Sequence, residues 1–358
     1  MYHSHETLRD FTRTFFTRIG CSESDASVIA DIFITAELRG IGSHGLIRIS
    51  DHHNLWKAGR LNTAPKITVT RETLSTAVVD GDNAPGMLPA VFSMETAIGK
   101  AREAGTGWVA CRNSNHFGIA GYYAMMALSH DMIGVCLTNA NPLVAPTFSV
   151  SRLLGTNPIA VAVPGGKEPP FVADFATTPI ARGKLEVAVK KREKTLYGYV
   201  QDREGRPTDD PDILRKGGTM LPLGGDREHG SHKGYCLSAT VDILSALLSG
   251  AGFGPFVPPS VAYLPLPEEG NGKGTGHFFG AMRIDAFREA GEFRDAMDKW
   301  IMSFRNAESA EGKPAVLIPG DIEREYEEQA RRRGIALIPA VTEELNRIAA
   351  DLGMEIRL

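Results

Sequence analysis

The chain has 358 residues, 42% of them hydrophobic and 23% charged, with a formal net charge of −4. That length supports two or more packed layers, or two domains flanking a cleft. The absence of a basic surplus excludes a nucleic-acid binder that works through charge, so the expected partners are small molecules or other subunits.

The opening stretch "MYHSHETLRDFTRTFF" carries charge throughout and does not read as a secretory signal. Leu8, Phe11, Phe15 and Ile19 recur at helical spacing, with Ser4 placed to cap the start and Gly20 to end the helix. A second helix, roughly Ser24 to Arg39, runs into the glycine-rich break "GIGSHG", where a helix end can present side chains to a cleft. The next segments are a strand and turn in "STAVVDGD", a helix in "LPAVFSMETAIGKAREAG" closed by Gly105, and a strand in "GWVACRN". "NSNHFGIAGYY" therefore starts at the carboxyl end of a strand. Further strands are expected in "MIGVCLTNA", "PIAVAVP" and "PFVADFA", and residues 205–234 read mostly as loop. After them come an apolar helix from about Tyr235 to Leu248, a strand in "GHFFGAMRI" and a helix near "FRDAMDKWIMSF". The charged helix "EREYEEQARRRG" near the end collects three arginines in its last turn, which suits the helix dipole. The most apolar stretch, "LSATVDILSALLSGAG", is interrupted by Asp242 and is too short for a membrane span. Cys21, Cys111, Cys136 and Cys236 lie far apart, which speaks against a disulfide framework or zinc knuckle and for a reducing cytoplasm.

Common enzyme signatures are absent. "GNGKGTGHFFG" has the wrong spacing for a dinucleotide fingerprint and leads into a strand, and there is no phosphate loop, nucleophile elbow or H-E-x-x-H helix. What remains is a set of histidines and one arginine. His44 sits in a glycine-flanked turn with Arg48 four residues later, and His116 lies between polar and aromatic neighbours. Taken alone these residues stay open between two readings: packing and turn residues, or a shared ligand site. His52 and His53, and His229 and His232, lack companions at metal-ligand spacing, so no metal is expected. In "DFATTPIARGK", Asp174 stands at a strand end; in "GGDREHGSHKG", His232 and Lys233 precede a helix whose free amides suit a phosphate, although a plain surface loop fits equally well.

Read together, "RGIGSHGLIR", "NSNHFGIAGYYA", "GTNPIAVAVP", "DFATT" with "ARGK", "GRPTDDP", "LPLGG", "HKGY" and "IPGD" resemble the malate/L-lactate dehydrogenase family that is unrelated to the familiar lactate dehydrogenases. That family includes ureidoglycolate, sulfolactate, 2,3-diketogulonate and piperideine-2-carboxylate oxidoreductases. The resemblance runs over nearly the whole chain. It implies an α/β (α+β) fold that is not a Rossmann fold: a mostly antiparallel sheet domain at 76–309, and a helical domain from the discontinuous segments 1–75 and 310–358. It also implies a homodimer that uses NAD or NADP. The family's proton-transferring histidines match His116, taken as principal acid/base, and His44, taken as a second relay. Arg48 matches its carboxylate clamp and Thr156 a substrate-side contact, while Asp174, Phe175, Ala176, His232 and Lys233 match cofactor contacts. The chain departs from the family pattern at Ser231 and Cys236, where glycines are usual, and at Ala140, where some relatives have serine.

The expected activity is hydride transfer between a small 2-hydroxy acid and its 2-oxo acid, because an imidazole accepts the hydroxyl proton and a guanidinium forks to the carboxylate. Reduction of a cyclic 2-imino acid is the alternative within that class. A metal-dependent hydrolase or lyase, and an inactive ligand-binding protein, are the readings from other classes.

Overall fold

A computed structural model describes residues 2–268 and 270–358. Helix α1 (His5–Arg18) starts where the Ser4 hydroxyl accepts the Thr7 N–H at 3.1 Å, and α2 (Glu23–Leu38) repeats the device with Ser22 and Asp25. Leu8, Phe11, Phe15 and Phe16 of α1 and Ile29, Ile32 and Phe33 of α2 are fully or almost fully buried, so the two helices close on each other. Two 3₁₀ turns then lead into α3 (Ile49–Lys57).

A seven-stranded sheet forms the centre: β1 (Thr68–Glu72), β2 (Thr76–Asp80), β3 (Thr106–Ser114), β4 (Met132–Thr138), β5 (Ile159–Val163), β6 (Phe171–Phe175) and β7 (Thr275–Arg283). Their spatial order is β1-β2-β3-β7-β4-β5-β6. Only β2 and β3 pair in parallel, and α4 (Met87–Ala104) makes the crossover that such a pair requires. Every other neighbour is antiparallel. The last strand in sequence, β7, thus sits in the middle, with His277 opposite Cys111 of β3 and Thr138 of β4.

Both faces of the sheet are covered. Val109, Cys111, Cys136 and Phe279 join the large core under α1, α2, α4 and α5 (Ala120–Met126). Trp108, Ala110, Leu137 and Phe278 face the other way, against α7 (Ser231–Asp242) and the turn that follows it, as strand alternation demands. Helix α6 (Arg182–Lys191) belongs to a smaller cluster with Val144, Leu185 and Met220. After α8 (Ala290–Arg305) the chain returns to the N-terminal segment. Tyr2–His3 pairs with Ile335–Ala336, α9 (Asp321–Arg333) packs on α2, and α10 (Pro339–Asp351) packs on α3. Among the described residues no helix is long and apolar enough to cross a membrane.

The structure corrects one element. The helix expected from about Tyr235 begins at Ser231 and ends in a π-helical turn, Ile243–Leu247. Its start is set by tertiary anchoring and not by apolar spacing: the Ser231 N–H donates to the Asp226 carbonyl at 2.8 Å, and the Ser231 hydroxyl meets that of Thr147 at 3.0 Å. His232 and Lys233 are therefore in the first helical turn.

Helix α5 lies directly on β4, so close that a Cβ at Gly134 would come within 2.0 Å of the Ala124 carbonyl oxygen. Backbone on both sides of the contact leaves no flexible side chain to yield. Gly134→Ala is expected to lower stability by about 3 kcal/mol, read as a drop of several degrees in the thermal unfolding midpoint. An unchanged midpoint would disprove the close approach.

Candidate active site

Where α2 ends, the chain doubles back through the 3₁₀ turns Gly42–His44 and Leu46–Arg48. Glu37, only 9% exposed, holds this turn by accepting the Leu46 N–H at 2.7 Å. Burial pushes the Glu37 carboxyl up to about 7, and the Leu46 N–H offsets part of that. The turn delivers His44 and Arg48 to the same cleft. Arg48 is fixed at two points: its Nε donates to the Ser43 carbonyl at 2.8 Å and its Nη1 to Asp51 at 3.1 Å. The His44 Nδ1 lies 2.9 Å from the Ser43 hydroxyl.

The opposite wall comes from the end of β3. Asn113 adopts a left-handed backbone (φ 53°) and anchors its amide on Asp80 at 2.7 Å, turning the chain off the strand. Asn115 then donates to the carbonyls of Asn83 (3.1 Å) and Ala84 (2.9 Å). This lays the loop over the start of α4 at a point where a Cβ on Gly86 would come within 2.1 Å of the Asn115 carbonyl oxygen. His116 stands on that loop with its ring stacked on the His44 ring, centroids 5.5 Å apart and planes 22° apart.

Desolvation drives both histidines toward the neutral form. The His44 imidazole is pulled down to about 4 by burial and then by the Arg48 charge. His116 is held well below the ordinary histidine range by burial, then by His44, Arg48, His52 and His277. At neutral pH the cleft therefore presents two neutral imidazoles, each with one ring nitrogen free to accept a proton, beside the Arg48 guanidinium. The neighbouring His52 and His53 pack instead among aromatic rings: His52 lies against Phe16 and Phe33, and its Nδ1 is 2.9 Å from the Arg48 carbonyl.

The cleft opens to solvent, and Thr138, Ala140, Asn141, Thr156 and Arg182 complete its lining. Of the residues singled out from the sequence, His44, Arg48, His116 and Thr156 meet here. The five residues matched to cofactor contacts, Asp174, Phe175, Ala176, His232 and Lys233, stand outside its lining. Asp174, at the end of the edge strand β6, accepts the Gly121 N–H at 2.7 Å and caps α5. The residue is otherwise exposed at the sheet edge. Phe175 is 42% exposed, and the chain beyond Ala176 ties back to the cleft through the Thr177 N–H and the Thr156 carbonyl, 2.9 Å apart. His232 Nδ1 lies 3.0 Å from an Arg227 nitrogen, and Lys233 is exposed in the first turn of α7.

The donor set suits a nicotinamide. A flat ring with one carboxamide needs apolar walls and a few amide or hydroxyl groups, which Phe117, Leu143 and Pro158 and then Asn141 and Thr156 supply. Among the described residues no carboxylate lines the cleft to repel an acid substrate.

Paired neutral imidazoles beside an anchored guanidinium, set in a sheet whose order is not that of a Rossmann fold, describe an acid–base enzyme for a carboxylate substrate. The sequence pattern described as malate/L-lactate dehydrogenase matches residues 3–346. The chain is 40% identical over 351 residues to a malate dehydrogenase of Pyrococcus horikoshii, covering 98% of this chain and 95% of that one. To an L-sulfolactate dehydrogenase of Methanocaldococcus jannaschii it is 39% identical, covering 95% and 94%. The crystal structure of malate dehydrogenase from Entamoeba histolytica superposes with a TM-score of 0.93 at 33% identity, covering 100% of this chain and 99% of that one. The chain belongs to the malate/L-lactate dehydrogenase family.

Sequence reasoning passed over Glu37, Asn83, Asn115 and Arg182. Glu37 stands in the last turn of α2, before the glycine-rich stretch, and reads as an ordinary helix-end carboxylate until the chain folds back on it. A raised carboxyl favours the folded state most below the unfolded value, and that contribution is lost as pH rises through about 7. Glu37→Gln keeps an acceptor for Leu46 and removes the titration. Relative to the parent, its unfolding midpoint should climb between pH 4.5 and 7.5, with a span on the order of 3 kcal/mol at most. A constant offset across that range would show that Glu37 does not titrate there.

Proposed function

We propose that the protein is an NAD- or NADP-dependent oxidoreductase that interconverts a small 2-hydroxy acid and its 2-oxo acid. The observation that carries this reading is the stacked His44–His116 pair beside the doubly anchored Arg48 in a single cleft. Arg48 forks to the substrate carboxylate and sets C2 and its oxygen against the imidazoles. In oxidation His116 takes the hydroxyl proton as C2 gives up its hydride and the carbon–oxygen double bond forms; in reduction it returns the proton. His44 exchanges that proton with solvent as the second relay. The bound nicotinamide supplies the hydride acceptor or donor. Thr156 contacts the substrate side. Asp174, Phe175, Ala176, His232 and Lys233 take the rest of the dinucleotide, a reading supported by the link from Thr177 to Thr156 and by the exposed lysine at the start of α7.

Arg182 brings a second guanidinium to the cleft wall, with its Nε 2.8 Å from Glu186. It favours substrates with a second acidic group, in keeping with the names of the malate and sulfolactate relatives. We also assign a homodimer, supported by the exposed Leu237, Ile243, Leu247 and Leu248 along α7 and its terminal turn. A cytoplasmic location is supported by four unpaired cysteines. We assign the segments 1–75 with 310–358 to the helical unit, in line with the pairing of Tyr2–His3 with Ile335–Ala336, and 76–309 to the sheet unit; β1 (Thr68–Glu72) crosses that boundary to join the sheet, and His44 and Arg48 reach the cleft from the helical side.

The direct test follows reduced-nicotinamide absorbance with NADH and NADPH against a panel of 2-oxo acids and cyclic 2-imino acids. Turnover should be strongest with a 2-oxo acid carrying a second acidic group. His116→Ala should lower kcat by about a thousandfold while nucleotide still binds, and Arg48→Ala should act mainly on KM for the acid. No turnover with any pair would reject the dehydrogenase reading; selective turnover of the imino acids would replace it.

The depressed imidazoles give a second expectation. Reduction needs an imidazolium, which is scarce above the depressed values, so kcat/KM for the 2-oxo acid should fall about tenfold per pH unit above pH 6. Oxidation needs the neutral ring, so its kcat/KM should stay flat from pH 6 to 9. The opposite pattern, with oxidation rising through pH 7, would mean that the proton acceptor is not one of these buried histidines.

A further inference from the structure

His277 has no part in the chemistry above, yet it is the most completely enclosed polar ring near it. It lies on the central strand β7 at 0% exposure, and burial depresses its imidazole to about 3. A phenylalanine would fill such a place, as Phe278 and Phe279 do in the next two positions. An unpaired ring nitrogen in a buried imidazole is costly, and here both nitrogens are paired. Nδ1 is 2.7 Å from the Thr138 hydroxyl and Nε2 is 2.7 Å from the Ser114 hydroxyl. Thr138 also donates to the Gly276 or Asn139 carbonyl at 3.0 Å, which leaves it free to accept from Nδ1–H while Ser114 donates to Nε2.

The ring also stacks on Phe117, with centroids 4.5 Å apart and planes 6° apart. Phe117 in turn stacks on Tyr123 at 4.8 Å, and the Tyr123 hydroxyl donates to the Phe117 carbonyl. His277 therefore grips the chain on both sides of His116: by hydrogen bond at Ser114, two residues before it, and by stacking at Phe117, one residue after it. The grip sits at a bulge in the β7–β3 pairing, between Thr275 and His277, where the regular ladder is interrupted. A side-chain bond there replaces lost ladder pairing at the root of the loop.

We propose that His277 is a positioning residue for His116, holding the loop through its bond to Ser114 and its stack on Phe117. The role of His116 in proton transfer rests on the function proposed above; the grip on the loop does not. Arg48 is held by other contacts, so loosening the loop should act on kcat and leave carboxylate binding in place.

The test uses the full chain and three variants. His277→Phe keeps the stack and volume but loses both bonds; it should lower kcat by about ten- to a hundredfold with KM for the 2-oxo acid within threefold. His277→Gln reaches the Nε2 position and keeps the Ser114 bond, whereas His277→Asn reaches the Nδ1 position and keeps only Thr138. Gln should therefore recover more of kcat than Asn. Adding Ser114→Ala should cost little more in His277→Phe than in that variant alone, because the two residues share one bond. Nitrogen-15 spectra of the histidine rings supply a readout independent of turnover: the His116 signals should broaden or shift in His277→Phe and return toward the parent in His277→Gln. Should the parent turn over no acid, the function fails while the spectra still decide the grip. Unchanged His116 signals in a folded His277→Phe, or equal kcat in the Gln and Asn variants, would overturn the proposal. So would a change in unfolding midpoint alone.

Discussion

Two imidazoles and a guanidinium share one desolvated cleft, and such a group cannot hold several positive charges at once. Arg48 brings the guanidinium, held in place by Asp51 at 3.1 Å. His44 and His116 then remain neutral, stacked at 5.5 Å, a distance at which a second proton would be opposed by the first. Much of the surrounding architecture keeps these groups together. Glu37 fixes the turn that carries two of them, and the Asn115 amide and the packing at Gly86 fix the loop that carries the third.

The topology explains why the groups come from distant parts of the chain. The α2–α3 turn belongs to the N-terminal helices, which the C-terminal segment clasps through the Tyr2–His3 pairing and α9 and α10. His116 belongs to the sheet, just past the end of β3, which pairs in parallel with β2 on one side and antiparallel with β7 on the other. The cleft lies where these two bodies meet, yet one continuous hydrophobic core runs from Leu8 through Val109 to Phe279. Relative movement of the two walls would disturb that core, so the cleft is well suited to hold a preformed arrangement.

How much of this was readable in the sequence follows from the range of the interactions. Elements fixed by local rules came through: the caps at Ser4 and Gly105, the alternating strands, and the arginine-rich end of α9. Of the residues in family motifs, His44, Arg48, His116 and Thr156 line one cleft, whereas Asp174, Phe175, Ala176, His232 and Lys233 do not. Features fixed by tertiary contact did not. The start of α7 depends on Asp226 and Thr147, and the place of β7 between β3 and β4 carries no local mark. Glu37 and His277 act across 9 and 163 residues, reaching Leu46 and Ser114, and neither has unusual neighbours in sequence.

Electrostatics also set a limit on what the empty cleft can do. With both imidazoles neutral, Arg48 and Arg182 are the cationic side chains of the lining, each paired from behind by Asp51 and Glu186, so an anionic substrate meets guanidinium donors whose charge is partly offset. A bound carboxylate would screen Arg48 and reduce the repulsion that depresses His44 and His116, raising their proton affinity when reduction requires a proton. A dicarboxylate would do this more than a monocarboxylate. Substrate charge would then influence both binding and protonation, linking recognition of the acid to readiness for the chemical step through the one cleft that these four side chains line.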